Sequence, residues 1–237
     1  MPYCYGFRWV GLTRAIRSGR VPFVLDDPLN IVFEDADLLA IDKPRGLLVE
    51  GFEKGEETLA DQVRRYAGDR SRPLHRLDRE TTGIVLFAKN SKWNRALAEL
   101  FEKKRIRKEY WAIARGSWDK RINKIDTRIR SLGSGRWGNS KTEGKAALTT
   151  FRVLGRTERF SWVQALPKTG RTHQIRLHCV AAGCPIVGDR FYSDDKSNPL
   201  LLHARSLSFS HPGGSGELKL ESEPPSDWGK WLDAIQR

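Results

Sequence analysis

The sequence predicts an α+β domain, and three observations predict it. Short apolar runs, often rich in β-branched residues, recur along the chain and come in pairs across turn signals. Fewer stretches space their apolar residues at helical intervals behind a capping residue. The 237 residues are 39% hydrophobic, enough for one sizeable core or two lobes without disulfides or a structural metal.

Taken in order, residues 1–25 mix Tyr3, Tyr5, Phe7 and Trp9 with Arg8, Arg14, Arg17 and Arg20, and no acid precedes Asp26. Residues 1–29 are read as a short basic extension, either a binding arm or a wrap around the core. Residues 30–237 are read as one domain. Strands are expected at 31–34 and 38–42, either side of an acidic turn. Lys43-Pro44-Arg45-Gly46 is a turn signal, after which 47–49 is expected to resume the strand. Thr58 caps a helix to residue 67, with Asp61 in capping-box position and Gly68 as the stop. The run 84–88 is short, apolar and bounded by Gly83 and Lys89, so it reads as a buried strand. Ser91 is expected to cap a second helix whose face carries Trp93, Leu97, Leu100 and Phe101, with Lys104 at the same spacing. Residues 108–115 alternate as a strand, with Tyr110, Ala112 and Ala114 on one face.

Residues 131–140 are Gly/Ser-rich and read as a flexible loop holding Arg136 and Trp137. Residues 148–154 and 160–166 form a strand pair. Thr172 is expected to cap a helix in which Ile175, Cys179 and Ala182 share a face, ended by Gly183 and Pro185. Short strands follow at 200–202, 207–209 and 217–220, then a closing helix at 227–236 with Trp228 and Trp231. No repeat or linker divides the chain.

The net charge is +13 and the pI about 9.9. Charge of this size points to a polyanionic partner, because Lys and Arg contacts to phosphates release counterions. The eight Trp suit both core packing and base stacking. Cys4, Cys179 and Cys184 are an odd, sparse set, which suggests a reducing compartment and a cytoplasmic protein. No apolar run reaches a membrane span and no secretory leader is expected at the N-terminus. A protein acting on nucleic acid is the working class.

Two polar stretches carry the candidate chemistry. In Pro73-Leu-His-Arg-Leu-Asp-Arg-Glu-Thr-Thr-Gly83, Asp78 lies between Arg76 and Arg79, in the loop that feeds the buried strand. Scaffold-held loops of this kind often carry sites; the plain alternative is a surface ion pair of little consequence. In Lys168-Thr-Gly-Arg-Thr-His-Gln-Ile-Arg-Leu-His178, Arg176 falls in the first turn of a helix. The positive helix end and a guanidinium together would hold a neighbouring carboxylate charged, and Asp78 is the candidate. His173, His178, Cys179 and Cys184 have no metal-ligand spacing, so no metal is expected. Asp78 and Glu80 are too close in one loop for a glycosidase pair. There is no GxSxG, P-loop or GxGxxG, so a cofactor-free site of one Asp, one Arg and a stacking aromatic remains.

His75-Arg76-Leu77-Asp78-Arg79-Glu80-Thr81-Thr82-Gly83 closely resembles the signature of the RluA-type pseudouridine synthases. Asp42-Lys43-Pro44-Arg45-Gly46-Leu47, Arg107-Lys108-Glu109-Tyr110-Trp111-Ala112, Gly170–Arg176, Gly183–Asp189 and Leu202-His203-Ala204 resemble further blocks of that family in the same order. Thr82 stands where the family commonly has Ser. Many members also carry an N-terminal S4 domain, for which residues 1–29 are too short, so RNA is expected to meet the domain surface.

The resemblance implies a mixed, mainly antiparallel central sheet flanked by helices, with a catalytic cleft. It implies isomerisation of specific uridines in ribosomal or transfer RNA: the N1–C1′ bond breaks and a C5–C1′ bond forms, with no cofactor. It implies Asp78 as the catalytic carboxylate, nucleophile or base, with Arg176 as its partner and Tyr110 stacked on the uracil. The target base must be flipped out of its stack. Arg76 is placed to hold the flipped nucleotide or fill its gap, and Lys168, Arg171 and His173 to contact RNA. A monomer without membrane partners is expected. The competing classes are an RNA-binding protein without activity, for which Asp78 is dispensable, and an RNA-cleaving enzyme using His173 or His178.

Overall fold

The computed structural model describes residues 29–51, 56–90, 92, 94–103, 105–214 and 216–236. Residues 1–28, Ser91, Trp93 and Lys104 lie outside the described residues, and with them the basic extension and the expected Ser91 cap.

Strands β1 (Ile31–Glu34) and β2 (Leu38–Lys43) form a hairpin. Its turn is closed by the Asp35 carboxylate, which accepts from the N–H of Asp37 at 2.8 Å and of Leu38 at 2.7 Å. Helix α1 (Leu59–Ala67) starts at the expected capping box: Thr58 and Asp61 each accept the other's backbone N–H. Strands β3 (Arg72–Pro73) and β4 (Thr82–Ala88), helix α2 (Asn94–Glu102) and strand β5 (Arg107–Arg115) follow. Then come β6 (Lys124–Gly133), β7 (Arg136–Ser140), β8 (Lys145–Arg156) and β9 (Phe160–Pro167). Helix α3 (Gln174–Ala181) precedes β10 (Leu202–Ser210) and β11 (Glu217–Glu221). A 3-10 turn, Ser226–Trp228, runs into α4 (Gly229–Gln236).

All the strands join one sheet in the order β1-β2-β4-β10-β5-β9-β8-β6-β7, with β11 added to β10 and β3 to β4. Every pairing is antiparallel except β4 with β10, where Thr82 and Gly83 lie beside His203 and Ala204. This is the mixed, mainly antiparallel α+β architecture expected. The parallel contact is tight: a Cβ on Gly83 would lie 2.3 Å from the Ala204 carbonyl oxygen, and the backbone there has φ +107°. Only glycine fits both demands.

The central strands explain their own sequence. Every residue of β4 is buried, which is why it reads as an unbroken apolar run. Its alternate side chains serve two layers. Ile84 and Leu86 pack with Leu38, Ala40 and Leu97 of α2, while Val85 and Phe87 pack with Leu39, Ile41 and the α1 residues Leu59, Ala60 and Val63. A third cluster joins β5, β9 and α4 around Trp118, Val163, Trp228 and Ile235.

Four expectations are corrected. Residues 131–140 are not a loop: they are the end of β6, a turn at Ser134 and Gly135, and β7. Both turn residues have positive φ, 47° and 73°, which suits a two-residue hairpin turn. Residues 47–49 do not resume a strand, because the chain there turns toward α1 and Leu48 and Val49 accept from the first N–H groups of that helix. The separate short strands expected at 200–202 and 207–209 are replaced by one strand, β10, which starts only at Leu202 and leaves residues 200–201 outside it. Thr172 does not cap α3; the cap position is His173, in left-handed conformation and without a side-chain cap bond.

Candidate active site

The seven residues singled out from the sequence, Asp78, Tyr110, Arg176, Arg76, Lys168, Arg171 and His173, line one cleft of about 730 Å³. It opens between the loop before β4, strand β5 and the start of α3.

The loop carrying Asp78 is held from behind by buried Lys43 and half-buried His75. The Lys43 ammonium donates to the carbonyls of Pro44 at 2.7 Å, Leu47 at 2.9 Å and Arg79 at 2.8 Å, which uses all three of its N–H bonds. Burial, opposed by Glu80 and Asp78, lowers Lys43 to about 7. His75 accepts from the N–H of Leu86 through Nε2 at 3.1 Å, and its ring lies 5.1 Å from that of Phe101. Burial, then the charge of Lys108, lowers His75 to about 3, so it is neutral. The N–H of Thr81 closes the loop on the carbonyl of Asp78 at 3.0 Å.

The facing wall is the first turn of α3. Gln174 is buried there: its Oε1 accepts from Thr169 Oγ1 at 2.7 Å and from the Arg171 N–H at 3.0 Å, and its Nε2 donates to Leu148 and Thr149. Arg176 sits two residues on. One edge of its guanidinium binds both oxygens of Asp189, at 2.8 and 2.7 Å, and Nη1 donates to Asp78 Oδ2 at 3.0 Å. The Phe191 and Tyr192 rings lie 5.3 and 5.2 Å from its centre. Burial would lower Arg176, but Asp189 and then Asp78 raise it, so it stays charged. The two carboxylates differ in access: the Asp78 side chain is 27% exposed and Asp189 1%. Among the described residues, none donates to Asp78 Oδ1.

Tyr110 reaches the cleft from β5. Burial, then the charge of Asp78, pushes its phenol above the ordinary value, so it stays protonated. Lys108, two residues earlier on the same strand, donates to the Thr169 carbonyl at 3.2 Å; burial and then Arg171 lower it to about 8. Arg76 and Lys168 are exposed on the rim. His173 has Nδ1 2.6 Å from the Tyr192 hydroxyl and Nε2 3.7 Å from Asp78 Oδ2. His178 faces away, between Thr149 and Thr127, and burial lowers it to about 4. It is a core histidine, which removes it as a candidate acid or base for strand cleavage. Among the described residues, no cluster of His, Cys, Asp and Glu is arranged to hold a metal.

Sequence reasoning missed Asp189 and Tyr192. Asp189 lay at the end of a block read for its order only, with nothing local to say that it grips an arginine 13 residues upstream. The available signal was Gly188: its φ is +75° and a Cβ would meet the Pro199 carbonyl oxygen at 1.9 Å, so a tight turn is required beside Asp189.

The family described as RNA pseudouridylate synthase matches residues 37–181. The chain is 34% identical over 231 residues to tRNA pseudouridine synthase C of Haemophilus ducreyi, covering 84% of this chain and 93% of that protein. It is 31% identical over 226 residues to ribosomal large subunit pseudouridine synthase C of Buchnera aphidicola, covering 87% and 70%. Among solved structures, human RNA pseudouridylate synthase domain containing 4 superposes with a TM-score of 0.73 at 27% identity, covering 87% of this chain and 93% of that one.

Proposed function

This chain belongs to the RNA pseudouridylate synthase family, and from that premise we propose how its residues divide the work. The enzyme is an isomerase that converts uridine in RNA to pseudouridine. Residues 30–237 are the catalytic unit. Asp78 is the reacting carboxylate, and the observation that carries this is its contact with Arg176 in the cleft. The guanidinium occupies Oδ2, while Oδ1 takes no hydrogen bond from the described residues. An acid that is anchored on one oxygen and open on the other suits attack on, or proton removal from, a substrate at a fixed place.

The target uridine leaves its stack, at a cost of a few kcal/mol, and lies against Tyr110. The N1–C1′ bond breaks, the uracil turns, C5 bonds to C1′, the proton at C5 is lost to solvent, and N1 takes up a proton in its place. One proton leaves and one is gained, the composition is unchanged and no electron is exchanged, so proton transfer and positioning are what the residues must supply. Arg76 holds the flipped nucleotide or fills its gap, while Lys168 and Arg171 hold phosphates. His173, the fourth RNA contact expected from the sequence, has both ring nitrogens turned to protein groups. The substrate is ribosomal or transfer RNA, the two kinds named by the relatives above. The enzyme works in the cytoplasm, a reading supported by the sparse cysteines, of which Cys179 and Cys184 are free and buried, and a monomer is the simplest state for it. Among the described residues, no helix is long and apolar enough to cross a membrane.

The test is release of tritium from 5-tritiated uridine in RNA. Asp78→Asn is expected to abolish release while RNA affinity stays within a few-fold, since many phosphate contacts carry binding. Release near the wild-type rate would refute the assignment and favour the binding-protein reading.

A further inference from the structure

We propose that Tyr192 and His173 form a second arm on Asp78: the Tyr192 hydroxyl fixes the imidazole tautomer so that the Nε2–H of His173 faces the carboxylate. The inference rests on Asp78 as the reacting carboxylate and deepens that reading by adding two positioning residues.

The backbone supplies the first observation. His173 has φ +56°, one of two non-glycine residues with positive φ among those described. It stands at the cap of α3 with its carbonyl accepting the N–H of Leu177 at 2.9 Å but with no cap bond from its side chain, so the imidazole is directed elsewhere. Such strain persists where surroundings enforce it, often at functional sites. Here the ring is enforced: Phe191 lies 5.5 Å from it in tilted contact, and Tyr192 meets it edge-on, also at 5.5 Å.

The hydrogen bonds supply the second. The Tyr192 hydroxyl oxygen accepts from the N–H of Trp137 at 3.3 Å, which turns its own hydrogen elsewhere. Its other partner is His173 Nδ1 at 2.6 Å. Among the described residues Nδ1 is the one acceptor within reach of the hydroxyl hydrogen, and in the proposed arrangement the hydroxyl donates to it, which places the single ring hydrogen of a neutral imidazole on Nε2. The ring is neutral because burial lowers it, and Arg176 adds to that; Asp78 and Asp189 oppose. These three charged groups and the Tyr192 hydroxyl are what face it.

The third observation is the direction of Nε2. It lies 3.7 Å from Asp78 Oδ2, the oxygen that already takes Arg176 Nη1 at 3.0 Å. That is longer than a direct hydrogen bond, but catalytic contacts of this kind shorten when substrate closes the site. Both donors address one oxygen. His173 would thus hold the carboxylate's rotation so that Oδ1 keeps facing the substrate. The alternative, a phosphate contact by His173, would need a ring nitrogen turned outward.

The experiment uses single-turnover tritium release at saturating RNA, alongside RNA affinity and thermal melts. His173→Gly suits the left-handed backbone, so it removes the imidazole without strain. It is expected to lose about 10-fold in rate, with RNA affinity unchanged and a melt no lower than wild type. His173→Gln puts an amide N–H near the position of Nε2 and is expected to regain most of the rate. Tyr192→Phe keeps the ring over Arg176 but releases the tautomer. In 15N spectra of histidine-labelled protein, His173 is expected to carry its hydrogen on Nε2 in the wild type and to shift toward Nδ1–H in Tyr192→Phe. A wild-type Nδ1–H tautomer overturns the proposal. So does a full rate in His173→Gly with weaker binding and a reduced salt slope, which is the phosphate contact. An inactive Asp78→Asn beside a full-rate His173→Gly removes this inference alone, whereas an active Asp78→Asn removes the reading beneath it.

Discussion

The two walls of the cleft hold their key residues by different means. On the Asp78 side the holding groups act on backbone: Lys43 ties down three carbonyls and His75 accepts from the N–H of Leu86. On the Arg176 side they act on a side chain: Asp189 grips the guanidinium at two points and two rings cover it. The first kind of support shapes a loop whatever residue it displays. The second aims one side chain, although Asp189 Oδ1 also accepts the N–H of Phe191 at 3.0 Å and of Tyr192 at 3.2 Å and so orders the short loop carrying the two rings. Substitutions behind Asp78 should therefore act mainly through stability, and substitutions behind Arg176 mainly through rate.

The largest effect tests whether the walls meet as one device. Arg176→Ala is expected to slow single turnover by roughly 10³-fold, the scale seen when a preorganised donor is lost. Adding Asp78→Asn should then cost little, because groups that act together are strongly non-additive. Arg176→Lys should rescue poorly, since Lys lacks the fork that serves Asp189 and Asp78 together. Full turnover of Arg176→Ala at saturating RNA would separate the walls.

Acid should load both walls at once. His75 behind Asp78 is half-buried and His178 on α3 buried, and both are neutral, with pKa values lowered by desolvation to about 3 and about 4. Each folded value lies below the ordinary 6.5, so the unfolded chain binds the proton first. Their stabilising effect is complete above pH 6.5 and falls as the pH drops toward 4, by roughly 3 kcal/mol for His178 if about 1.4 kcal/mol attaches to each unit. Denaturant midpoints across pH 4–8 measure it. A flat profile would mean that these rings are hydrated or already charged.

How much of this was legible in the sequence follows the same division. The Asp78 wall announces itself locally. The unbroken run 84–88, the Thr58 and Asp61 capping box and the acidic turn at Asp35 each declare their structure within a few residues. The far wall is built from residues distant in sequence, so Arg176 could be picked out but Asp189 and Tyr192 could not. The β6–β7 hairpin was lost for another reason. Its strands are largely exposed, so no apolar alternation marks them, and Gly133, Ser134 and Gly135 supply loop composition. Thr172 was a reasonable cap by type, but the Gln174 network and the anchored His173 ring decide the start of α3.

A paired substitution sharpens the contrast at moderate size. Lys43→Met keeps the length and strands the carbonyls, so it is expected to lose roughly 2–3 kcal/mol of stability. Its rate per folded molecule should stay close to wild type at low temperature. Asp189→Asn keeps one acceptor but loses the two-point grip on Arg176. It is expected to lose about 10-fold or more in rate, with the larger share of its effect in turnover. Urea titration beside single-turnover release reads both quantities. If Lys43→Met is slow while fully folded, the loop is not held by its backbone alone.

The smallest effect lies on the rim, outside both walls. Lys168 is exposed and Arg171 half-buried, with its Nε donating to the Ala146 carbonyl at 3.1 Å. Neither touches Asp78 or Arg176 through a hydrogen bond, so neither should alter the chemical step. A phosphate held by one cation releases about one counterion, and its loss should reduce the slope of log affinity against log salt by about 1. Lys168→Ala is therefore expected to weaken binding evenly across RNA sequences, to flatten the salt dependence by that amount, and to leave saturated turnover unchanged. Arg171→Ala should do the same in binding. It should also raise Lys108 from its value of about 8, because Arg171 is the charge that lowers it after burial. An unchanged salt slope in both variants would place the RNA backbone elsewhere on this basic chain and leave the cleft rim without a partner.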